Sequence, residues 1–142
     1  MKCMLLGHRN APNDLYPKIK YEIIKLLERG AEHFYVGNNG NFDYMAQVAL
    51  ADIEKERADL KYSIVLSRLD EKALGNAQMR TVFPEGQENA LKRFAIVKRN
   101  MWLLENSNLI ITYLVDKYSN SYKFIEKGMR MGLTVINLAE NK

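Results

Sequence analysis

The stretch that most constrains this chain is residues 34–43, Phe-Tyr-Val-Gly-Asn-Asn-Gly-Asn-Phe-Asp. Phe34, Tyr35 and Val36 read as a short buried strand, and Gly37 and Gly40 bracket the loop that follows. Phe42 and Asp43 then open a helix. Glycine adopts backbone angles that other residues resist and leaves room for a ligand against the main chain. A strand, a glycine turn and a helix N-terminus bring free N–H groups to one point, which suits an anion.

The same strand–loop–helix alternation runs through the chain. A first strand spans residues 1–6 and ends at Gly7-His8-Arg9. Asp14 can cap a helix running to about Arg29, with Pro17 in its first turn, where a missing N–H costs nothing. Leu15, Ile19, Ile23, Leu26 and Leu27 recur at helical spacing, and Gly30 is a natural stop. Strand two is 33–36, and the next helix covers about 42–57. Strand three is 62–66. Residues 67–87, with Gly75, Pro84 and Gly86, read as a long loop with one short helix near 70–77, a length often used for lids or binding loops.

Residues 89–105 are helical in character, in one piece or two. The run Leu-Ile-Ile-Thr-Tyr-Leu-Val at 109–115 is apolar on both sides, as a central strand should be. Ser119-Asn120-Ser121 offers a cap for a helix over 122–131, Gly132 ends it, and strand five is 134–138. Strands alternating with helices predict an α/β fold, a mostly parallel five-stranded sheet covered on both faces with right-handed crossovers. No linker or repeat divides the chain, so residues 1–142 are expected to form one domain. In such a sheet ligands bind outside the carboxyl ends of the strands, where strand order reverses. With order 3-2-1-4-5, three loops converge there: Gly7-His8-Arg9, residues 37–43 and residues 116–121.

Composition narrows the function classes. The single cysteine, Cys3, excludes an intramolecular disulfide framework and a multi-cysteine zinc site, and His8 and His33 are too few for a histidine-rich metal centre. Neither a metal nor a cofactor is expected. No apolar run reaches the length of a membrane span and no signal peptide is visible, which places the expected compartment in the cytoplasm. The formal charge of +4 is modest and dispersed among acids. The densest basic cluster, Lys92, Arg93, Lys98 and Arg99, reads as a solvated helix face, so charge pattern argues against nucleic acid as a partner.

Several residues could carry chemistry. Arg9 could clamp a phosphate with its planar fork, or pair with a surface carboxylate. His8 could be a general base or a phosphate donor, or it could hold its loop by bonding to backbone. Asp43 could cap its helix, bond ribose hydroxyls or assist chemistry. Ser119 and Ser121 suit phosphate and suit ordinary capping equally. Arg93 and Arg99 are six apart and do not share one helix face, but a break near Phe94 could aim one into the crevice. Trp102 reads as core rather than as a base-stacking surface. The Gly37–Gly40 spacing is not the G-x-G-x-x-G dinucleotide fingerprint, and there is no P-loop lysine, serine elbow or paired-glutamate signature. The catalytic residues are therefore unassigned, with Asp43 and His8 as the candidates.

Taken together, Gly7-His8-Arg9, Phe34-Tyr35-Val36-Gly37 with Gly40, Phe42 and Asp43, Arg93-Phe94-Ala95-Ile96, Arg99-Asn100-Met101-Trp102, Ser107-Asn108-Leu109-Ile110 and Val135-Ile136-Asn137-Leu138 resemble the SLOG superfamily. This Rossmann-like group includes the DprA/Smf DNA-processing proteins and the LOG cytokinin-activating enzymes. The chain looks most like its short, stand-alone YpsA-like bacterial branch. The resemblance implies a three-layer α/β/α Rossmann-like fold and a pocket for a nucleotide or nucleotide-derived ligand. Carried over by position, it implies ligand-facing roles for Gly7, Arg9, Gly37, Gly40, Phe42, Asp43, Ser119 and Ser121; His8 and Arg99 join them from the reading of the residues. Relatives have a glycine-rich turn where this chain has Ser119-Asn120-Ser121. The Pro-Gly-Gly-x-Gly-Thr run and following glutamate of the LOG enzymes have no counterpart here, which argues against phosphoribohydrolase activity.

The expected function is therefore a sensor or sequestering module for a nucleotide-type small molecule. A nucleotide hydrolase of the LOG type and an interaction protein with a vestigial pocket are the alternatives. A homo-oligomer is expected from the LOG-like relatives, with apolar residues of the long third helix as its interface.

Overall fold

The computed structural model of the chain describes residues 1–67, 81–84, 87 and 94–139. These form a sheet in the order β4-β3-β2-β1-β5-β6. The strands are β1 (Lys2–Leu5), β2 (His33–Val36), β3 (Tyr62–Val65), β4 (Thr81–Val82), β5 (Leu109–Thr112) and β6 (Thr134–Asn137), and every pairing is parallel. The helices are α1 (Tyr16–Glu28), α2 (Asn41–Glu54), α3 (Ala95–Glu105) and α4 (Asn120–Arg130), with a 3-10 turn at Asn13–Leu15. The Rossmann-like α/β arrangement and the reversal of strand order at β1 are as expected. The strand count is not: the sheet has six strands rather than five, because Thr81–Val82 pairs with Ile64 and Val65 at the sheet edge. Two residues without apolar periodicity leave no pattern for a sequence reading to find. The rest of the expected long loop, including its short helix, lies outside the described residues.

Period-two alternation in β1 builds both layers at once. Cys3 and Leu5 point to one face, where Ile19, Ile23 and Leu26 of α1 and Met45, Ala49 and Ile53 of α2 cover them. Met4 and Leu6 point to the other face, onto Leu103 and Leu104 of α3 and Ile125 of α4. Ile19 and Ile23 are fully buried, so the spacing read from the sequence is the one that docks α1. The two small residues Ala46 and Ala49, both fully buried, let α2 lie close to the sheet. Burial raises the Cys3 thiol to about 11, so it is a packed hydrophobe rather than a reactive group.

Helix ends differ from the expectation in one instructive way. Asp14 makes no capping bond to α1; the 3-10 turn leads straight into the helix, with Leu15 at the N-cap position and Pro17 in the first turn. At α4 the expected cap is present, with Ser119 Oγ accepting from the Tyr122 N–H at 3.1 Å. Beyond β5, Asn137 acts as a side-chain strand. Its Oδ1 accepts from Leu114 N–H and its Nδ2 donates to Leu114 O, both at 3.1 Å. This holds the chain that leaves β5 at the carboxyl edge of the sheet.

Candidate functional site

The carboxyl ends of β1, β2 and β5 carry the three loops named from the sequence. The β1 loop is fixed through its backbone: His8 N–H donates to Tyr113 O at 3.3 Å, and Asn41 N–H donates to Arg9 O at 2.8 Å. The Asn41 amide also donates to Ala11 O at 2.6 Å and to Asn13 Oδ1 at 2.8 Å, tying the start of α2 to the β1 loop. Arg9 is left exposed on this frame.

The glycines are required here, but the space beside them is filled by the protein itself. A Cβ on Gly7 would stand 2.6 Å from the Phe42 ring. Phe42 is fully buried and serves as a wall behind the loop. A Cβ on Gly37 would stand 2.5 Å from Arg99 Nη1 and 2.7 Å from Asp43 Oδ2. Gly40 is needed for its backbone, at φ +98°, and a Cβ there would meet the Arg9 backbone at 2.6 Å.

Beneath Gly37 lie two buried charges, Asp43 and Arg99, each 1% exposed. The expectation of a solvated basic face at Lys92, Arg93, Lys98 and Arg99 is thus corrected for Arg99; Lys92 and Arg93 lie outside the described residues. Helix α3 starts at Ala95, directly after Phe94, and so turns Arg99 inward. Arg99 Nε donates to Asn100 Oδ1 at 2.8 Å, and its Nη1 donates to Val65 O at 3.1 Å and, at 3.5 Å, to Asn38 Oδ1. Asp43 Oδ2 accepts from Asn39 N–H at 3.0 Å, while Oδ1 has no partner.

The pair is incompletely compensated. Burial raises the Asp43 carboxyl to about 6, against the pull of the Arg99 guanidinium, the Asn39 N–H and Arg9. Burial also lowers Arg99, with Asp43 opposing and Arg9 adding to the fall. A well-formed ion pair would push both groups the other way. The ion pairs among the described residues lie at the surface, and Asp43–Arg99 is not one of them. A guanidinium nevertheless stays protonated, so Arg99 remains a cation held mainly by neutral oxygens.

The third loop is built differently. His8 Nε2 accepts from the Val115 N–H at 3.0 Å and from the Asp116 N–H at 3.3 Å, which assigns the ring proton to Nδ1. Its ring meets Tyr113 edge-on, with centroids 6.1 Å apart. Of the roles open to His8, the structure supplies the backbone anchor. Ser119 Oγ donates to Asp116 O at 2.9 Å while capping α4, so that hydroxyl is committed to the fold. Ser121 is half-buried in the first turn of α4.

Sequence reading missed the polar frame around Arg99. Gln87 Nε2 donates to Ser67 O at 2.8 Å and to Ala95 O at 2.6 Å, joining the end of β3 to the start of α3. Asn38, Asn39 and Asn100 complete that frame, and only the run of asparagines beside Gly37 and Arg99 hinted at it. Trp102 is half-buried, with Tyr35 edge-on at 5.3 Å between centroids, on the face opposite α2 and away from these loops. No group of three or more metal-ligating side chains occurs among the described residues, and no helix among them is long and apolar enough to cross a membrane.

Comparison with known proteins gives the fold a class. No protein-family model matches the chain, and no curated protein matches it. Among solved structures, it is similar to DNA processing protein A (DprA) from Streptococcus pneumoniae at TM-score 0.67 and 18% identity, over 94% of this chain and 48% of that one. It is also similar to DprA from Helicobacter pylori at TM-score 0.64 and 15% identity, over 100% of this chain and 67% of that one. The chain thus spans about half the length of the first protein. It shares the Rossmann-like fold of these two DprA structures, the fold that the sequence resemblance implied.

These likenesses correct two expectations. The Helicobacter pylori protein was solved for its single-stranded DNA binding mode. The ligand of that neighbour is thus a polynucleotide, which runs against the expected nucleotide-sized ligand or its hydrolysis and against the expectation that nucleic acid is an unlikely partner. Net charge averages over the chain and does not report where its basic residues stand. Exposed Arg9 and Lys117 stand on the carboxyl-edge loops after β1 and β5, and the buried Arg99 lies beneath the loop after β2.

Proposed function

We propose that this chain binds single-stranded nucleic acid along the carboxyl edge of its sheet. The observation that carries the reading is the presentation of Arg9. Its backbone is fixed by Asn41 and backed by Gly40, its side chain is exposed, and it forms none of the ion pairs found among the described residues. Phosphate contacts supply most non-specific affinity for nucleic acid, and a pI near 9.1 favours the encounter. Arg99 is too buried to touch a polyanion and acts from below, by holding the Gly37 loop. The fold shared with the DprA proteins supports the same reading. Within the SLOG group we assign the chain to the YpsA-like branch, as one cytoplasmic Rossmann-like unit over residues 1–142.

The test is fluorescence anisotropy with a labelled oligo-dT at about 50 mM salt, followed by a salt titration. Binding should weaken as salt rises, and Arg9→Ala should flatten the log–log slope by about 0.7 for each phosphate that Arg9 neutralises. Absence of binding by the wild-type chain at low salt sinks the proposal.

A further inference from the structure

We propose that Tyr118 is a nucleobase-stacking platform beside the Arg9 phosphate contact; this rests on the reading of the chain as a single-stranded nucleic-acid binder. Tyr118 is 92% exposed, so its ring is packed against almost nothing of its own protein. An unpacked aromatic ring in water gains nothing for the fold.

The loop beneath the ring is nevertheless held at every step. Tyr118 N–H donates to Asp116 Oδ1 at 2.9 Å. Asp116 O accepts from Ser119 Oγ at 2.9 Å, and also from the Ser119 N–H at 3.3 Å. The N–H groups of Val115 and Asp116 are both taken by His8 Nε2. Ser119 then locks the loop onto α4. Val115, Lys117 and Tyr118 are all exposed, so this bonding fixes side chains that bury little.

A rigid backbone with a free aromatic ring is what sequence-tolerant stacking needs, because the ordering entropy is spent in folding rather than in binding. Placement points the same way. His8, the residue that clamps this loop, is the immediate neighbour of Arg9. One edge of the sheet thus carries a guanidinium for the backbone of the strand and, on the next loop, a ring for a base, with Lys117 adjacent. Every base has a π-face, so the platform fits single-stranded chains whose bases are unstacked rather than a duplex.

The experiment compares two labelled probes of equal length, oligo-dT and its abasic deoxyribose-phosphate analogue, against the whole chain and three variants. Tyr118→Ala should weaken oligo-dT binding by about tenfold and leave abasic binding unchanged. Tyr118→Phe should stay within about twofold of wild type on both probes, since the ring and not the hydroxyl is used. Tyr21→Ala removes a ring that is 64% exposed on α1, away from the edge, and should change neither probe. Thermal melts should match wild type in all three variants. Oligo-dT binding that survives Tyr118→Ala intact overturns the platform while leaving the nucleic-acid reading in place. An equal loss on both probes overturns it too, by assigning Tyr118 to loop shape or backbone contact. If the wild-type chain binds neither probe, the underlying reading has failed instead.

Discussion

The loops that follow β2 and β5 stand near one another at the same edge of the sheet and solve opposite problems. The β2 loop is closed over charge. Gly37 rests on Arg99 and Asp43, both 1% exposed, and one carboxylate oxygen is left without a partner. The β5 loop is closed over the neutral His8 side chain; His8, Asp116 and Ser119 satisfy its backbone while Val115, Lys117 and Tyr118 face solvent. The first stores an uncompensated charge inside the fold, and the second presents groups outward at little cost. Disruption should therefore register as lost stability at the first loop and as lost binding at the second.

The sharpest break comes at Gly40. Alanine there combines a φ of +98° with a Cβ 2.6 Å from the Arg9 backbone. Strain of this kind and overpacking each cost about 1–3 kcal/mol, so Gly40→Ala should lose about 4 kcal/mol in urea unfolding. A loss below about 1 kcal/mol would mean that the loops after β1 and β2 are not locked together.

Asp43 sharpens the comparison through pH. Its folded pKa, about 6, lies above the ordinary carboxyl value of 3.8, so the folded state holds the proton more tightly. The stability this contributes is complete below about pH 4 and is lost as pH rises through about 6. At about 1.4 kcal/mol per pH unit, the gap is worth at most about 3 kcal/mol. Asp43→Asn mimics the protonated form. It should be more stable than wild type at pH 8, with the difference closing by pH 4. A difference that stays constant across that range would show that Asp43 is not the titrating group.

At the β5 loop the effects on stability are smaller. Ser119→Ala removes the α4 cap and should cost about 1 kcal/mol by thermal melt. Ser121→Ala, one residue inside the helix, should stay within about 0.5 kcal/mol of wild type. If the two serines prove equal, the capping assignment is wrong.

The contrast also explains what could be read from the sequence. Strands β1, β2, β3, β5 and β6 and the apolar faces of α1 and α2 were legible because periodicity reports burial directly. The positions of Gly37 and Gly40 were legible too, but not their purposes. A glycine required by its own backbone angle and one required by a neighbour's bulk look alike in a sequence. Arg99 is misread within its basic cluster because its burial depends on Val65, Asn38 and Asn100, three acceptors that lie far apart in the chain or offer no pattern. Tyr118 is passed over for a related reason: a lone aromatic after a strand reads as ordinary loop until its exposure is known.

The register of β1 has a consequence for how the chain is made. Its Cys3 and Met4 pair with Phe34 and Tyr35 on one side and with Leu109 and Ile110 on the other. During synthesis β1, β2 and β3 can associate early, but the opposite flank of β1 stays unpaired until β5 emerges. At about 5–20 residues per second that interval is on the order of 10 s. For that time the nascent chain carries an open parallel edge and the uncovered Met4–Leu6 face, so residues 1–67 form a template that other nascent chains could join before β5 does.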